Sequence, residues 1–223
     1  MLLNNKMVNK FVFKNRLFPK TTTLNSHNRF FNISVIRTEF IRKSIHFLIA
    51  LSPVLAAWNR FFTLIMLMAG VLVYVYLESM RIRGFTIPLI SSLTAQASRS
   101  RDEGHFVLGP VTLGLGAVLV LAFFPLRTAS IAIYALAFGD GFASLVGKPF
   151  GRIKPFFMMG KSVEGSAACL AAVFLVTWKV SRSLPVSLTA AVTAVIAEVL
   201  PLEDLDNLVI PLAVACAISI AML

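Results

Sequence analysis

A run of charged side chains interrupts an apolar sequence between residues 139 and 168. It begins with Asp140 and closes with Glu164, and between them stand the basic residues Lys148, Arg152, Lys154 and Lys161. Charged side chains collected within an apolar sequence could handle a highly charged ligand beside a bilayer. Asp140 also follows a long apolar stretch, where a carboxylate costs about 2.5–3.5 kcal/mol on membrane-insertion scales. We therefore expect it to have a partner.

Small residues recur at every fourth position after Asp140, at Ala143, Gly147 and Gly151. On one helix face they would let a neighbouring backbone approach closely. Glycines would equally let phosphate oxygens reach backbone N–H groups, and the spacing does not choose between these readings. The start of the next apolar segment is a candidate anion cradle at a helix N-terminus, formed by Gly160, Ser162 and Gly165.

Two further charged groups stand beside apolar segments. The first has the spacing i, i+3, i+4, i+7 and shares one face if it is helical: Glu39, Arg42, Lys43 and His46. Such a stripe can pair internally or face a phosphate. The second is Glu78 with Arg81, for which an i, i+3 ion pair is the simplest expectation.

Several familiar sites are missing from the sequence. A Walker loop ending at Gly160-Lys161-Ser162 would require glycine at position 155, which is Pro155. Zinc patterns and a Gly-x-Ser-x-Gly elbow do not occur, and the three histidines are scattered. Cys169 and Cys216 both lie in apolar runs, so we interpret them as helix-packing residues.

The composition is that of an integral membrane protein with an all-α fold. Of 223 residues, 57% are hydrophobic and 14% are charged, and the mean hydropathy is +0.82. Because a helix of about 20 apolar residues spans a bilayer, we predict about seven transmembrane helices. Their ranges are Ser44–Trp58, Phe61–Ser79, Val107–Phe124, Ala129–Val146, Ser166–Val180, Val186–Leu200 and Leu208–Met222, with Phe85–Ala97 as a surface or re-entrant helix.

The charges predict an amino terminus on the cytoplasmic side. Residues 1–38 form a basic arm that we expect to be poorly ordered, and residues 39–223 form the transmembrane domain. Of the 21 basic residues, all but Arg60, Arg127, Lys179 and Arg182 then lie inside, as do all ten acids. The net charge of +11 therefore indicates contact with anionic lipid rather than nucleic acid. A bacterial inner membrane is the preferred location; an organellar one remains open, because the arm could be a transit peptide or a start-site extension.

The order of these motifs resembles that of the CTP-dependent lipid kinases, which include dolichol kinase, phytol kinase and the CTP-dependent diacylglycerol kinase. The resemblance covers roughly residues 39–223 and departs from the family at Gly160, where a second lysine is common. It rests on Asp140-x-x-Ala143-x-x-x-Gly147-x-x-x-Gly151, Lys161-Ser162-x-Glu164-Gly165-Ser166, Arg42-Lys43-x-x-His46, Glu78-x-x-Arg81 and Glu198-x-x-x-x-x-Leu205-Asp206-Asn207-Leu208.

The resemblance implies Mg²⁺-dependent transfer of the γ-phosphoryl group of CTP to the hydroxyl of a membrane alcohol: a polyprenol, phytol or diacylglycerol. Its implied catalytic residues are Asp140, Lys161, Glu164 and Asp206, and its metal candidates are Asp140, Glu164 and Glu198. Nucleotide binding would fall to Arg42, Lys43, His46, Gly147, Lys148, Gly151, Arg152, Lys154, Lys161, Ser162 and Gly165. A phosphatidate cytidylyltransferase, which attacks the α-phosphate, is the nearest alternative. A non-enzymatic transporter is less favoured, because midplane stretches such as Leu115–Phe124 are wholly apolar.

Overall fold

The computed structural model describes residues 33–85 and 105–221, and within them it contains helices and no strand. We number the α-helices α1 Ile33–Ile49, α2 Ser52–Ile82, α3 Gly109–Phe123, α4 Leu126–Tyr134, α5 Gly141–Phe150, α6 Val163–Ser181, α7 Leu184–Val199 and α8 Asp206–Ala221. A π-helical segment, Ala135–Asp140, joins α4 to α5. The predicted all-α fold is confirmed for this part of the chain.

Four of the described helices are long and apolar enough to cross a membrane, fewer than the seven that the sequence predicted. They are Ser52–Ile82, Leu126–Phe150, Val163–Ser181 and Glu203–Ala221. The predicted spans Val107–Phe124 and Val186–Leu200 do form helices, but these have only 15 and 16 residues. The predicted helix Phe85–Ala97 lies, apart from Phe85, outside the described residues.

The first two predicted spans are divided differently in the structure. The hydrogen-bond ladder breaks after Ile49, because Pro53 has no N–H to donate to that carbonyl, and a new helix begins at Ser52. The predicted boundary between Trp58 and Phe61 does coincide with a break in helical geometry, a kink at Asn59 where φ is −150° and ψ is 103°, and α2 continues beyond it to Ile82. At the other end, α1 begins at Ile33, so that it includes the last six residues of the predicted arm.

The rod Leu126–Phe150 lies at the centre of the bundle. It packs against α1, α2, α3, α6, α7 and α8. Of its most apolar stretch of 18 residues, 61% is buried inside the protein, compared with 17% for the corresponding stretch of α2. Its fully buried side chains include Ile131, Ile133 and Leu136. In contrast, α2 exposes large apolar side chains such as Trp58 and Phe61, as expected of a helix that faces lipid. The polar end of the rod therefore has protein on most sides.

Glycines allow α5 and α6 to pack closely. A Cβ on Gly147 would lie 2.9 Å from Ser162 Oγ, and one on Gly165 would lie 2.8 Å from the Ala143 carbonyl oxygen. A Cβ atom does not come this close to another heavy atom in real structures, so a larger residue at either position would push the two helices apart. The helix ends at Phe150, and Gly151 is extended. Of the two readings that the spacing left open, the structure realises close helix packing at Gly147 and Gly165.

Candidate functional site

The end of the central rod carries a buried cluster around Asp140. The π-helical segment ends at this residue, whose side chain is only 5% exposed and forms an ion pair with Lys43 of α1. His46 Nε2 lies 3.2 Å from the same carboxylate oxygen. The expectation that so deep a carboxylate has a partner is confirmed. π-Helical turns are frequent at functional sites.

Lys43 is the most deeply buried charged side chain of the cluster, with 1% of its surface exposed. Burial lowers the pKa of its ammonium group to about 8, because desolvation outweighs the attraction of the Asp140 charge. Lys43 and His46 are one helical turn apart on α1, so the shared face that the sequence predicted does reach the site. The other two members of that stripe behave differently, since Glu39 pairs with Arg42 and with Lys148.

A second polar group beside the first connects α6 and α7 to the loop that precedes α6. Lys161 Nζ donates to Glu198 Oε1 at 2.8 Å, and Ser166 Oγ donates to the other oxygen of Glu198 at 3.3 Å. Glu198 is buried in the last turn of α7, whereas the Lys161 side chain is 35% exposed. Lys161 therefore pairs with a residue 37 positions away rather than with its neighbour Glu164. A half-exposed ammonium group held at the edge of a buried site is well suited to meet an anion.

Glu164 is engaged in a local turn. Its carboxylate accepts hydrogen bonds from the backbone N–H of Arg152 at 2.9 Å and of Ile153 at 3.2 Å. Ser162 caps α6 by accepting from Gly165 N at 3.2 Å. The resemblance grouped Glu164 with Asp140 as metal candidates; in the structure both oxygens of Glu164 face the backbone N–H groups of this turn. Arg152 and Lys154 are exposed on the same loop, with Gly160 at a φ of +89°.

Asp206 is the first residue of α8. The charges of Asp140, Lys43 and Lys161 all act on its carboxylate. Among the residues that the structure describes, it accepts no hydrogen bond and forms no ion pair. The like charges of Asp140 and Asp206 repel each other, and Asp206 has no described hydrogen-bond donor. A cation would therefore be favoured beside these two carboxylates.

Asn207 is a site residue whose role the sequence did not reveal. Its side-chain oxygen lies 3.0 Å from His46 Nε2, and its amide nitrogen donates to Gly109 O and to Thr112 Oγ1 on α3. The amide is buried and ties α1, α3 and α8 together. Asparagine next to an acid is common at helix starts, so its type alone predicted nothing. The only signal in the sequence was that Asn207 falls within the motif from Glu198 to Leu208.

Away from the site, the structure confirms one pair and revises one interpretation. Glu78 receives Arg81 Nε at 2.8 Å and Nη2 at 2.7 Å, which is the ion pair that their spacing predicted. Cys169 is buried and packs closely against Gly139, as expected. A Cβ atom added at Gly139 would lie only 3.2 Å from the Cys169 sulfur. Cys216 is exposed on α8, so the packing interpretation does not hold for it in the described part of the chain.

Comparison with known proteins finds two curated relatives. The chain is 32% identical to the phytol kinase of Synechocystis sp. over 149 residues, which are 65% of this chain and 60% of that protein. It is 30% identical to the probable chloroplastic phytol kinase of Triticum aestivum over 146 residues, 56% of this chain and 46% of the relative. No family model matches, and neither does any solved structure.

The chain thus spans roughly half to three fifths of the length of the curated relatives it matches. Both relatives are named as kinases of a lipid alcohol, and four helices of this chain could cross a membrane. Together these similarities support a relationship of this chain to lipid kinases.

Proposed function

We propose that this chain is a membrane enzyme that transfers the γ-phosphoryl group of CTP to the hydroxyl of a lipid alcohol. Phytol is the first acceptor to test, because both relatives are named phytol kinases. Polyprenols and diacylglycerol are the other candidate acceptors. The observation that carries the proposal is the cluster of Asp140, Lys43 and His46, buried at one end of an apolar bundle beside Lys161 and Glu198. Phosphoryl transfer requires such a combination of cations and carboxylates.

Mg²⁺ is the proposed cofactor, and the residues present fit it. The described residues contain no group of three His, Cys, Asp or Glu side chains arranged for a metal ion. Mg²⁺ does not require one, since it uses one or two protein carboxylates with phosphate oxygens and water. Asp140 and Asp206 would hold it, because their like charges act on each other and Asp206 lacks a described donor. The bound ion would neutralise negative charge on the triphosphate.

The chain's own residues divide the remaining tasks. Lys161 would meet the β- and γ-phosphates, because its ammonium group is accessible while Glu198 and Ser166 fix its position. Lys148, Arg152 and Lys154 surround the same loop and would add positive charge there. Glu164 would act indirectly, by holding the backbone of Arg152 and Ile153 in the turn that presents these cations.

The test is transfer of label from γ-³²P-CTP by the purified protein in nanodiscs. We expect radioactive lipid phosphate with phytol, dependence on CTP rather than ATP or GTP, and loss of transfer in EDTA that Mg²⁺ restores. α-³²P-CTP in a parallel reaction distinguishes the alternative. Label from the α-phosphate in lipid, with pyrophosphate released, would identify a cytidylyltransferase and overturn the kinase. A transporter would give neither product.

A further inference from the structure

His46 presents a ring nitrogen that has no partner in the part of the chain that the structure describes. The residue is 6% exposed, and its Nδ1 atom is one of four buried side-chain atoms there without a hydrogen bond. Arg42 Nε, one turn earlier on α1, is another of the four. Buried polar atoms are nearly always paired, so an unpaired nitrogen inside the site marks a place where a ligand would complete the pairing.

The neighbours of His46 determine which ring nitrogen carries the proton. Asn207 Nδ2 lies 3.2 Å from Gly109 O and 3.1 Å from Thr112 Oγ1. Because a backbone carbonyl can only accept, this end of the amide must be the NH₂ group, and the amide oxygen must face His46. His46 Nε2 therefore meets two acceptors, Asn207 Oδ1 at 3.0 Å and the Asp140 carboxylate at 3.2 Å. Nε2 carries the hydrogen.

In the neutral ring, Nδ1 is then a lone-pair acceptor, and its ligand must supply a hydrogen. The triphosphate oxygens of a nucleotide carry none at neutral pH. A phosphate would suit this nitrogen poorly, although the sequence grouped His46 with the nucleotide-binding residues. The nearest cation, Lys43, is already paired with Asp140. A hydroxyl has the hydrogen that this position lacks. The lipid alcohol supplies one, as do the ribose hydroxyls of CTP, and the comparison of phytol with phytane distinguishes these two sources.

The surroundings of His46 suit the rest of a lipid alcohol. The next residue, Phe47, has its ring 5.7 Å from the rings of both Phe138 and Phe142. Tyr134 continues the row at 6.0 Å from Phe138, one turn further along the rod. Phe142 is 42% exposed, so the row reaches the apolar outer surface of the bundle. The row lies on faces of α1 and the rod adjacent to those that carry His46 and Asp140, and it offers apolar surface near the polar cluster for a hydrocarbon chain.

We propose that His46 Nδ1 accepts a hydrogen bond from the hydroxyl of the lipid alcohol, and that Asn207 is a positioning residue that, together with the Asp140 carboxylate, holds the ring with Nδ1 as the acceptor. This inference rests on the proposed function and locates its acceptor. It concerns where the hydroxyl is held and involves no change in the charge of the ring. His46 is thereby assigned to binding of the lipid alcohol rather than to binding of the nucleotide.

The first test observes the ring directly. The chain has three histidines, so ¹⁵N-histidine labelling gives few signals, and the His46→Gln variant assigns those of His46. In liposomes, we expect the spectrum of an Nε2–H tautomer with a bare Nδ1. Phytol should shift the Nδ1 signal, whereas phytane, which has the same skeleton without the hydroxyl, should not. An Nδ1–H tautomer, or an Nδ1 signal that ignores phytol, would overturn the proposal.

The second test separates the two substrates. An Asn side chain can place its amide near the position of Nδ1, and the longer Gln side chain reaches that of Nε2. We expect His46→Gln to lower kcat/KM for phytol about tenfold to a hundredfold, the range for a lost buried hydrogen bond, with the KM for CTP unchanged. His46→Asn should recover part of the loss. Asn207→Leu should also impair phytol use and weaken the response of the Nδ1 signal to phytol, while the hydrogen stays on Nε2 because the Asp140 carboxylate still accepts it.

The same exchange at His105 is the matched control, since this residue is exposed and belongs to neither polar group. His105→Gln should match the wild type. All variants are compared as monodisperse protein by size exclusion. A His46→Gln variant with wild-type kinetics, or one that raises only the KM for CTP, would overturn the proposal. If the wild type transfers no label from CTP, the proposed kinase activity fails, and the phytol-dependent ¹⁵N shift alone then decides whether His46 binds the hydroxyl.

Discussion

Replacing Asp140 by asparagine is expected to damage stability and catalysis for two separable reasons. Asp140 and Lys43 are 3% and 1% exposed and form an ion pair with each other. Removal of one partner of a buried pair leaves the other charge uncompensated, which typically costs about 3–5 kcal/mol. At about 2–4 °C per kcal/mol for a chain of this size, the unfolding midpoint should fall by about 6–20 °C.

The double variant Asp140→Asn/Lys43→Met separates these effects. Methionine removes the orphaned ammonium group and keeps an unbranched side chain in its place, so most of the lost stability should return. The activity should not return, because the carboxylate proposed to hold Mg²⁺ is still missing. We expect both variants to transfer label from γ-³²P-CTP at least about 10²-fold more slowly than the wild type, comparable to the loss of one electrostatic group in other enzymes.

Glu78→Gln provides the matched control. Glu78 is a fully buried carboxylate that is also ion-paired, but its partners are Arg81 and the backbone N–H of Val107, outside the proposed site. This variant should lose stability while its folded fraction retains the wild-type rate. Thermal unfolding in detergent and label transfer in nanodiscs measure the two quantities. Asp140→Asn with more than a tenth of the wild-type rate would refute the catalytic assignment, and a double variant no more stable than the single one would refute the ion-pair argument.

Three further substitutions test other parts of the structure. Lys161→Met should raise the KM for CTP more than Lys154→Met does, because only the former removes an ammonium group fixed by a buried carboxylate; equal effects would contradict this. Gly165→Ala should destabilise the protein by about 1–3 kcal/mol, because the added methyl group would overpack against α5. Gly70→Ala should stabilise it slightly, because no atom lies within 4 Å of a Cβ at that position. Equal unfolding midpoints for these two variants would contradict both expectations. Arg60→Leu removes hydrogen bonds to three carbonyls at the end of α3 and should cost about 1–3 kcal/mol without changing the kinetic constants of the folded enzyme. A stable Arg60→Leu variant would show that water replaces those bonds.

The sequence alone predicted a helical membrane protein and most of the side chains of the candidate site. Apolar runs of helical length fix a membrane protein, because hydropathy is a sum over neighbouring residues. The ion pair of Glu78 with Arg81 could also be predicted, since an i, i+3 spacing brings two side chains together on any helix. A carboxylate as deep as Asp140 required a partner for reasons of solvation alone. The sequence did not predict that the first span would divide after Ile49, because length and hydropathy do not show where a new helix begins inside an apolar run.

Only the tertiary structure decided which charged groups meet. Lys43 and Asp140 are 97 residues apart, and His46 and Asn207 are 161 apart, so no local periodicity relates them. Glu164 belongs to the same motif as Lys161, yet it binds a backbone turn while Lys161 reaches Glu198 on another helix. The packing of α1 and α8 around the end of the central rod sets these partners, because a helix fixes the direction of its own side chains but not which neighbour they face.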